Sequence, residues 1–125
     1  MIMDTMHVWI GCAASAEEFS RYFAVNPDSR NTQAGASQFD QDLGTQWYDD
    51  DLIGVYYNAE TDDLAAALDE LPAAPATLSA VRAKCQEAGI VKANALFYYN
   101  DADLTVTDTA RKYNGLTYLG AFDNA

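Results

Sequence analysis

Between Arg30 and Arg82 the chain has no lysine or arginine, yet that interval carries Asp40, Asp42, Asp49, Asp50, Asp51, Glu60, Asp62, Asp63, Asp69 and Glu70. Over the whole sequence 7 basic residues stand against 19 acidic ones, a formal charge of −12. Nucleic acids and anionic membranes are themselves polyanions, so this balance argues against either as a direct partner. Histidine is almost missing too. His7 is the only one, and it opens an apolar run, a place that suits a structural or exposed residue better than a catalytic one. The sequence has no G-x-S-x-G elbow, no phosphate-cradling G-x-x-x-x-G-K-[ST] and no H-E-x-x-H. Seven scattered bases make a poor phosphate pocket. The expectation is a protein with no catalytic residues, no cofactor and no enzymatic activity.

Cysteine is scarce as well. Cys12 and Cys85 are far apart and in no metal-ligand spacing, and they read as free buried thiols in a reducing compartment. No apolar run approaches the roughly 20 residues of a membrane span. The start, "MIMDTMHVWIGCAAS", has Asp4 ahead of any lysine or arginine, unlike the basic leader of a signal peptide. A cytoplasmic protein is expected.

What is present is apolar and aromatic. Half of the 125 residues are hydrophobic and 12% are aromatic, enough for one domain, 1–125, that folds without disulfides or a structural metal. "HVWIGC" reads as an opening strand. Ser15 and Glu18 in "SAEEFSRYF" have capping-box spacing, and Phe19, Tyr22 and Phe23 form an apolar helical face that Asn26-Pro27-Asp28 closes. A short second helix is expected from Ser37, with Phe39 and Leu43 on one face and Gly44 as its stop. "LIGVYYN" reads as a second strand, in which Gly54 marks a bulge or a close backbone approach.

Thr61-Asp62-Asp63 then starts a helix with Leu64, Leu68 and Leu71 as its buried stripe. "PAAPA" turns into another helix, carrying Leu78, Val81 and Cys85 and followed by Gly89. "ANALFYYND" is a third strand and "LTYLGAF" a last one. "TDTARKYNG" suggests a short helix capped by Asn114-Gly115, although Thr105-Val106-Thr107 could extend a strand. The order indicates an α+β fold: a single domain with a roughly four-stranded, mainly antiparallel sheet and helices packed on one face.

The densest acidic feature is "TQWYDDDLIGVYY", where Asp49, Asp50 and Asp51 lie between Trp47-Tyr48 and an apolar run. Adjacent carboxylates repel, and apolar neighbours add desolvation, so a cation, a catalytic task or a basic partner should offset the cost. A metal is the weaker reading. Asp49, Asp51, Gly54 and Glu60 nearly reproduce a calcium loop, but Ile53 stands at the third ligand position without a side-chain oxygen. No metal ligand is assigned, and a weak divalent-cation site stays open. Trp47 and Tyr48 beside these acids are the ingredients of a protein interface.

Together "HVWIG", "SQFDQDLG" and "WYDDDLI" resemble the immunity protein 22 family of bacterial polymorphic toxin systems. The similar features are Trp9 and Gly11 in the opening strand, Tyr22-Phe23 after it, Phe39 and Asp42, Tyr48-Asp49-x-Asp51, and the closing "YLGAF". Asp50 and the Ala-Pro link at Pro72–Pro75 have no counterpart in that pattern. The resemblance implies an antidote that binds a cognate toxin. The charge balance makes that toxin basic, of nuclease type, with no nucleic acid or membrane as partner. The expected contact residues are Trp47, Tyr48, Asp49 and Asp51, with Asp40 and Asp42. The alternatives are an acidic interaction module with another basic partner and a weak divalent-cation binder.

Overall fold

A computed structural model of the chain describes residues 5–23, 38–43, 52–101, 106 and 112–123. Its elements are β1 (Thr5–Gly11), α1 (Ala16–Arg21), α2 (Gln38–Leu43), β2 (Ile53–Tyr57), α3 (Leu64–Asp69), α4 (Pro75–Glu87), β3 (Ala95–Asn100), β4 (Lys112–Tyr113) and β5 (Leu116–Asp123). The five strands form one sheet in the order β2-β3-β1-β5-β4, with every neighbouring pair antiparallel. The α+β class read from the sequence holds, with one strand more than the four expected.

The central strand explains the architecture. Met6, His7, Val8, Trp9 and Ile10 are all buried, and successive strand residues point to opposite sides, so both faces of the sheet must be covered. On one side Met6, Val8 and Ile10 pack with Leu96 and Phe122 under α3 and α4, which supply Leu68, Val81 and Cys85. On the other, Trp9 packs with Phe97, Tyr99 and Tyr113 under α1 and α2, which supply Phe19 and Phe39. Helices on a single face are thus corrected to helices on both.

Strand β5 serves both sides by changing phase. Trp9 pairs with Tyr118 while Val8 pairs with Gly120, which leaves Leu119 as an extra residue opposite β1. Leu116 and Tyr118 therefore lie on the aromatic side and Phe122 on the aliphatic side, an even spacing that a one-residue bulge permits. Gly120, at φ 133°, takes up the distorted backbone there.

Local signals place the helices. Ser15 Oγ accepts from the Glu18 amide at 3.1 Å, and Asp63 Oδ1 accepts from the Ala65 amide at 3.2 Å, capping α1 and α3. Pro75 occupies the first turn of α4, where its missing N–H costs nothing. Helix α1 is shorter than its apolar face suggests: Tyr22 is already its C-cap, ahead of Asn26-Pro27-Asp28. At the other end of the chain, Lys112-Tyr113 is a strand. Asn114 (φ 57°) and Gly115 (φ 78°) turn a hairpin into β5 instead of capping a helix. Positions 107–111 lie outside the described residues.

Gly54 fulfils the close-approach reading. It faces Tyr98 across the β2–β3 pair, and the phenol ring lies where a Cβ would stand.

Candidate functional site

Helix α2 projects Asp42 back toward α1. Asp42 Oδ2 accepts from the Tyr22 hydroxyl at 2.6 Å, and Oδ1 accepts from Gln38 Nε2 at 2.8 Å. The short Tyr22 bond is charge-assisted and fixes the carboxylate relative to the core. Tyr22 itself is buried, edge-on to Phe23 at 5.2 Å and tilted against Phe39 at 5.8 Å. Beside this pair an open depression of about 300 Å³ is lined by Glu18, Arg21, Tyr22, Gln38 and Asn114. Asn114 Nδ2 donates to the Phe19 carbonyl at 3.1 Å, tying the β4–β5 turn to α1.

Of the six contact residues expected from the sequence, Asp42 is the one whose side chain is described. Asp40 lies in α2, with nothing described of its side chain, and Trp47, Tyr48, Asp49 and Asp51 lie outside the described residues. They follow α2 in the chain and precede β2. The calcium-loop spacing does not survive. Ile53 to Tyr57, which such a loop would curl around an ion, are extended as β2. Among the described residues no three or more His, Cys, Asp or Glu side chains gather as a metal site.

The remaining described acids of the base-free interval lie beyond β2. Glu60, Asp62, Asp63, Asp69 and Glu70 are all exposed. Asp62 approaches Lys92 at 3.9 Å, an exposed pair of little energetic weight. A second depression, of about 400 Å³, is lined by Asn58, Ala59, Glu60, Thr61, Asp62 and Asn94. Its polar groups are largely spent on the loop. Asn94 grips Ala13 through both its amide atoms, at 2.8 and 3.1 Å, and Asn58 Oδ1 accepts from the Glu60 amide at 2.8 Å.

His7 is structural. Its Nε2 lies 3.0 Å from the Asp101 carbonyl, which can only accept, so Nε2 carries the proton. Nδ1 then accepts from the Tyr118 hydroxyl at 2.9 Å. Burial lowers the His7 pKa, against the pull of the Asp101 carbonyl and charge. Burial, reinforced by Tyr113, pushes the Tyr118 phenol up to about 12. Both groups are neutral near pH 7. The cysteines differ from each other: Cys85 is buried and its thiol is pushed up by burial, whereas Cys12 is exposed, contrary to the expected burial.

A family model described as Immunity protein 22 matches residues 6–124 of the 125-residue chain. The chain belongs to this family. Comparison with curated proteins found no match, and comparison with solved structures found none. The matched span of this immunity protein contains Trp9 in β1, Phe39 and Asp42 in α2, and Tyr118 to Phe122 in β5. Two of those features carry the geometry above: the Tyr22–Asp42 link and the phase change in β5. No helix among the described residues is long and apolar enough to cross a membrane.

The Tyr22–Asp42 and His7–Tyr118 pairs were not anticipated. A signal existed at both. Tyrosine in place of phenylalanine on a buried face needs a partner for its hydroxyl.

Proposed function

We propose that this immunity protein is a cytoplasmic, non-catalytic antidote of a bacterial polymorphic toxin system, which binds a cognate toxin and blocks it in the producing cell. The toxin is basic and of nuclease type. The observation that carries the reading, beyond family membership, is the interval without lysine or arginine between Arg30 and Arg82. A nuclease is basic where it holds nucleic acid, and an acidic inhibitor occupies that surface as a polyanion mimic. Trp47 and Tyr48 act as anchors, Asp49 and Asp51 meet toxin lysine or arginine, and Asp40 and Asp42 extend the acidic contact along α2. Tyr22 and Gln38 support the reading by holding Asp42 in one orientation before any partner arrives, which lowers the ordering cost of binding.

The test is a nuclease assay with the toxin domain encoded beside this protein, with and without one equivalent of it. Inhibition at that ratio, with no turnover by the immunity protein alone, is expected. A metal-dependent nuclease, phosphatase or glycosidase activity of the immunity protein that Asp49→Asn abolishes would overturn the reading.

A further inference from the structure

The two edges of the sheet are built differently. Edge strand β4 is two residues long and carries Lys112, the kind of short, charged edge that discourages pairing with another chain. Edge strand β2 runs Ile-Gly-Val-Tyr-Tyr with no proline, no charge and no bulge in its register with β3. Its hydrogen-bond phase is fixed at both ends. The Leu52 carbonyl accepts from the Asn100 amide at 2.9 Å, and the Asn58 amide donates to the Asn94 carbonyl at 2.8 Å. In an antiparallel ladder, even-numbered Gly54 and Tyr56 then bond to β3, and the backbone groups of Ile53, Val55 and Tyr57 point outward. Among the described residues no strand pairs with that outer side. Val55, at its middle, is 56% exposed, one of the two large exposed apolar residues among those described.

The geometry points to β2 as a docking edge that takes an extended basic segment of the toxin as a sixth, added strand. Backbone hydrogen bonds to Ile53, Val55 and Tyr57 supply the affinity of such an addition, and side chains at alternate positions supply selectivity. Charge selects the occupant. Glu60 and Asp62 are exposed just past the end of β2. Lys92 approaches Asp62 at 3.9 Å, an exposed pair of little weight, and β2 and the loop after it carry no base of their own up to Arg82. A strand carrying lysine or arginine is attracted to this edge, whereas a second copy brings a formal charge of −12 and is repelled. Tyr98 over Gly54 stiffens the strand without using its outward groups, so the edge is ready before binding.

This inference rests on the toxin-binding reading, and hydrogen exchange separates the two. In the free protein the amides of Ile53, Val55 and Tyr57 should exchange quickly and those of Gly54, Tyr56 and Asn58 slowly. With the neighbouring toxin domain bound, the three fast amides should become protected by at least about tenfold. Val55→Pro removes an outward N–H that β3 does not use, so it should keep the unfolding midpoint and weaken toxin binding by about tenfold or more. Val55→Lys, which leaves the backbone intact, should weaken it in the same direction by opposing a basic strand. Toxin binding with the three amides still fast and both variants at wild-type affinity overturns the strand addition and leaves the antidote reading standing. Failure of the wild-type protein to bind the toxin overturns both. Protection of the same amides in a toxin-free dimer assigns the edge to self-pairing and overturns the basic occupant.

Discussion

The two faces of the sheet are packed with different chemistry. Under α3 and α4 the buried residues are mostly aliphatic, among them Met6, Val8, Ile10, Leu68, Val81 and Leu96. Under α1 and α2 they are mostly aromatic, and Trp9 lies within 6.2 Å of the rings of His7, Phe39, Phe97, Tyr113 and Tyr118. Aliphatic packing is non-directional and tolerates repacking at constant volume. Aromatic packing fixes ring angles, as in the 15° stack of Trp9 on Phe97 and the 84° edge contact with Phe39. The aromatic face also buries polar handles at His7 and Tyr22 and half-buries one at Tyr118, and the Tyr22 hydroxyl reaches Asp42. One face is a scaffold, and the other positions the candidate site.

The largest expected difference comes from removing the centre of the aromatic face. Trp9→Ala should cost about 3–5 kcal/mol, and Phe39→Ala a similar amount, read as lost unfolding free energy in denaturant. An unchanged midpoint for either would break the account of that face. Tyr118→Phe keeps the ring but leaves the buried Nδ1 of His7 without its donor, and should cost about 1–3 kcal/mol. Leu68→Met on the aliphatic face, with no polar partner to lose, should cost less than about 1.5 kcal/mol. If Leu68→Met proves the more damaging of these two, the division between directional and non-directional faces fails.

The smallest effect is a pH dependence confined to the aromatic face. His7 has a folded pKa below the unfolded value of 6.5, so the unfolded chain binds its proton more readily. Its stabilising contribution is full above pH 6.5 and is lost as the pH falls from there through the folded pKa. Melting wild type and His7→Gln at about pH 8 and about pH 5.5 should show a larger drop for wild type. Equal drops would mean that the folded protein takes up the His7 proton as readily as the unfolded chain, with no lowering of its pKa on folding.

Much of this plan was legible in the sequence, because alternation, capping residues and helix stops act locally. Ser15, Asp63, Gly54 and Gly89 each did what their type predicts. The two-sided sheet was also written in the sequence, since the unbroken apolar run of β1 is what a strand covered on both faces needs. The β4–β5 hairpin is harder to read, because "TDTARKYNG" has a helix-like charge pattern and Asn-Gly, the stronger signal, also suits a helix cap. The Leu119 bulge and the Tyr22–Asp42 bond depend on tertiary register and on residues 20 apart, which no local pattern encodes. For the site, the sequence singled out Asp42 but not the tyrosine that orients it.

On the proposed function, the acids beside Trp47 and Tyr48 face the toxin while the acids around α3 only add to the field. Surface-plasmon kinetics with the neighbouring toxin domain, at low and moderate salt, separates the two roles. Asp49→Ala and Asp51→Ala should each weaken binding by ~2–5 kcal/mol, mainly through faster release, because each strands a buried toxin cation. Asp62→Ala and Asp69→Ala should change mainly the association rate and its salt dependence. Correctly folded Asp49→Ala and Asp51→Ala proteins that bind like wild type would show that these acids do not face the toxin.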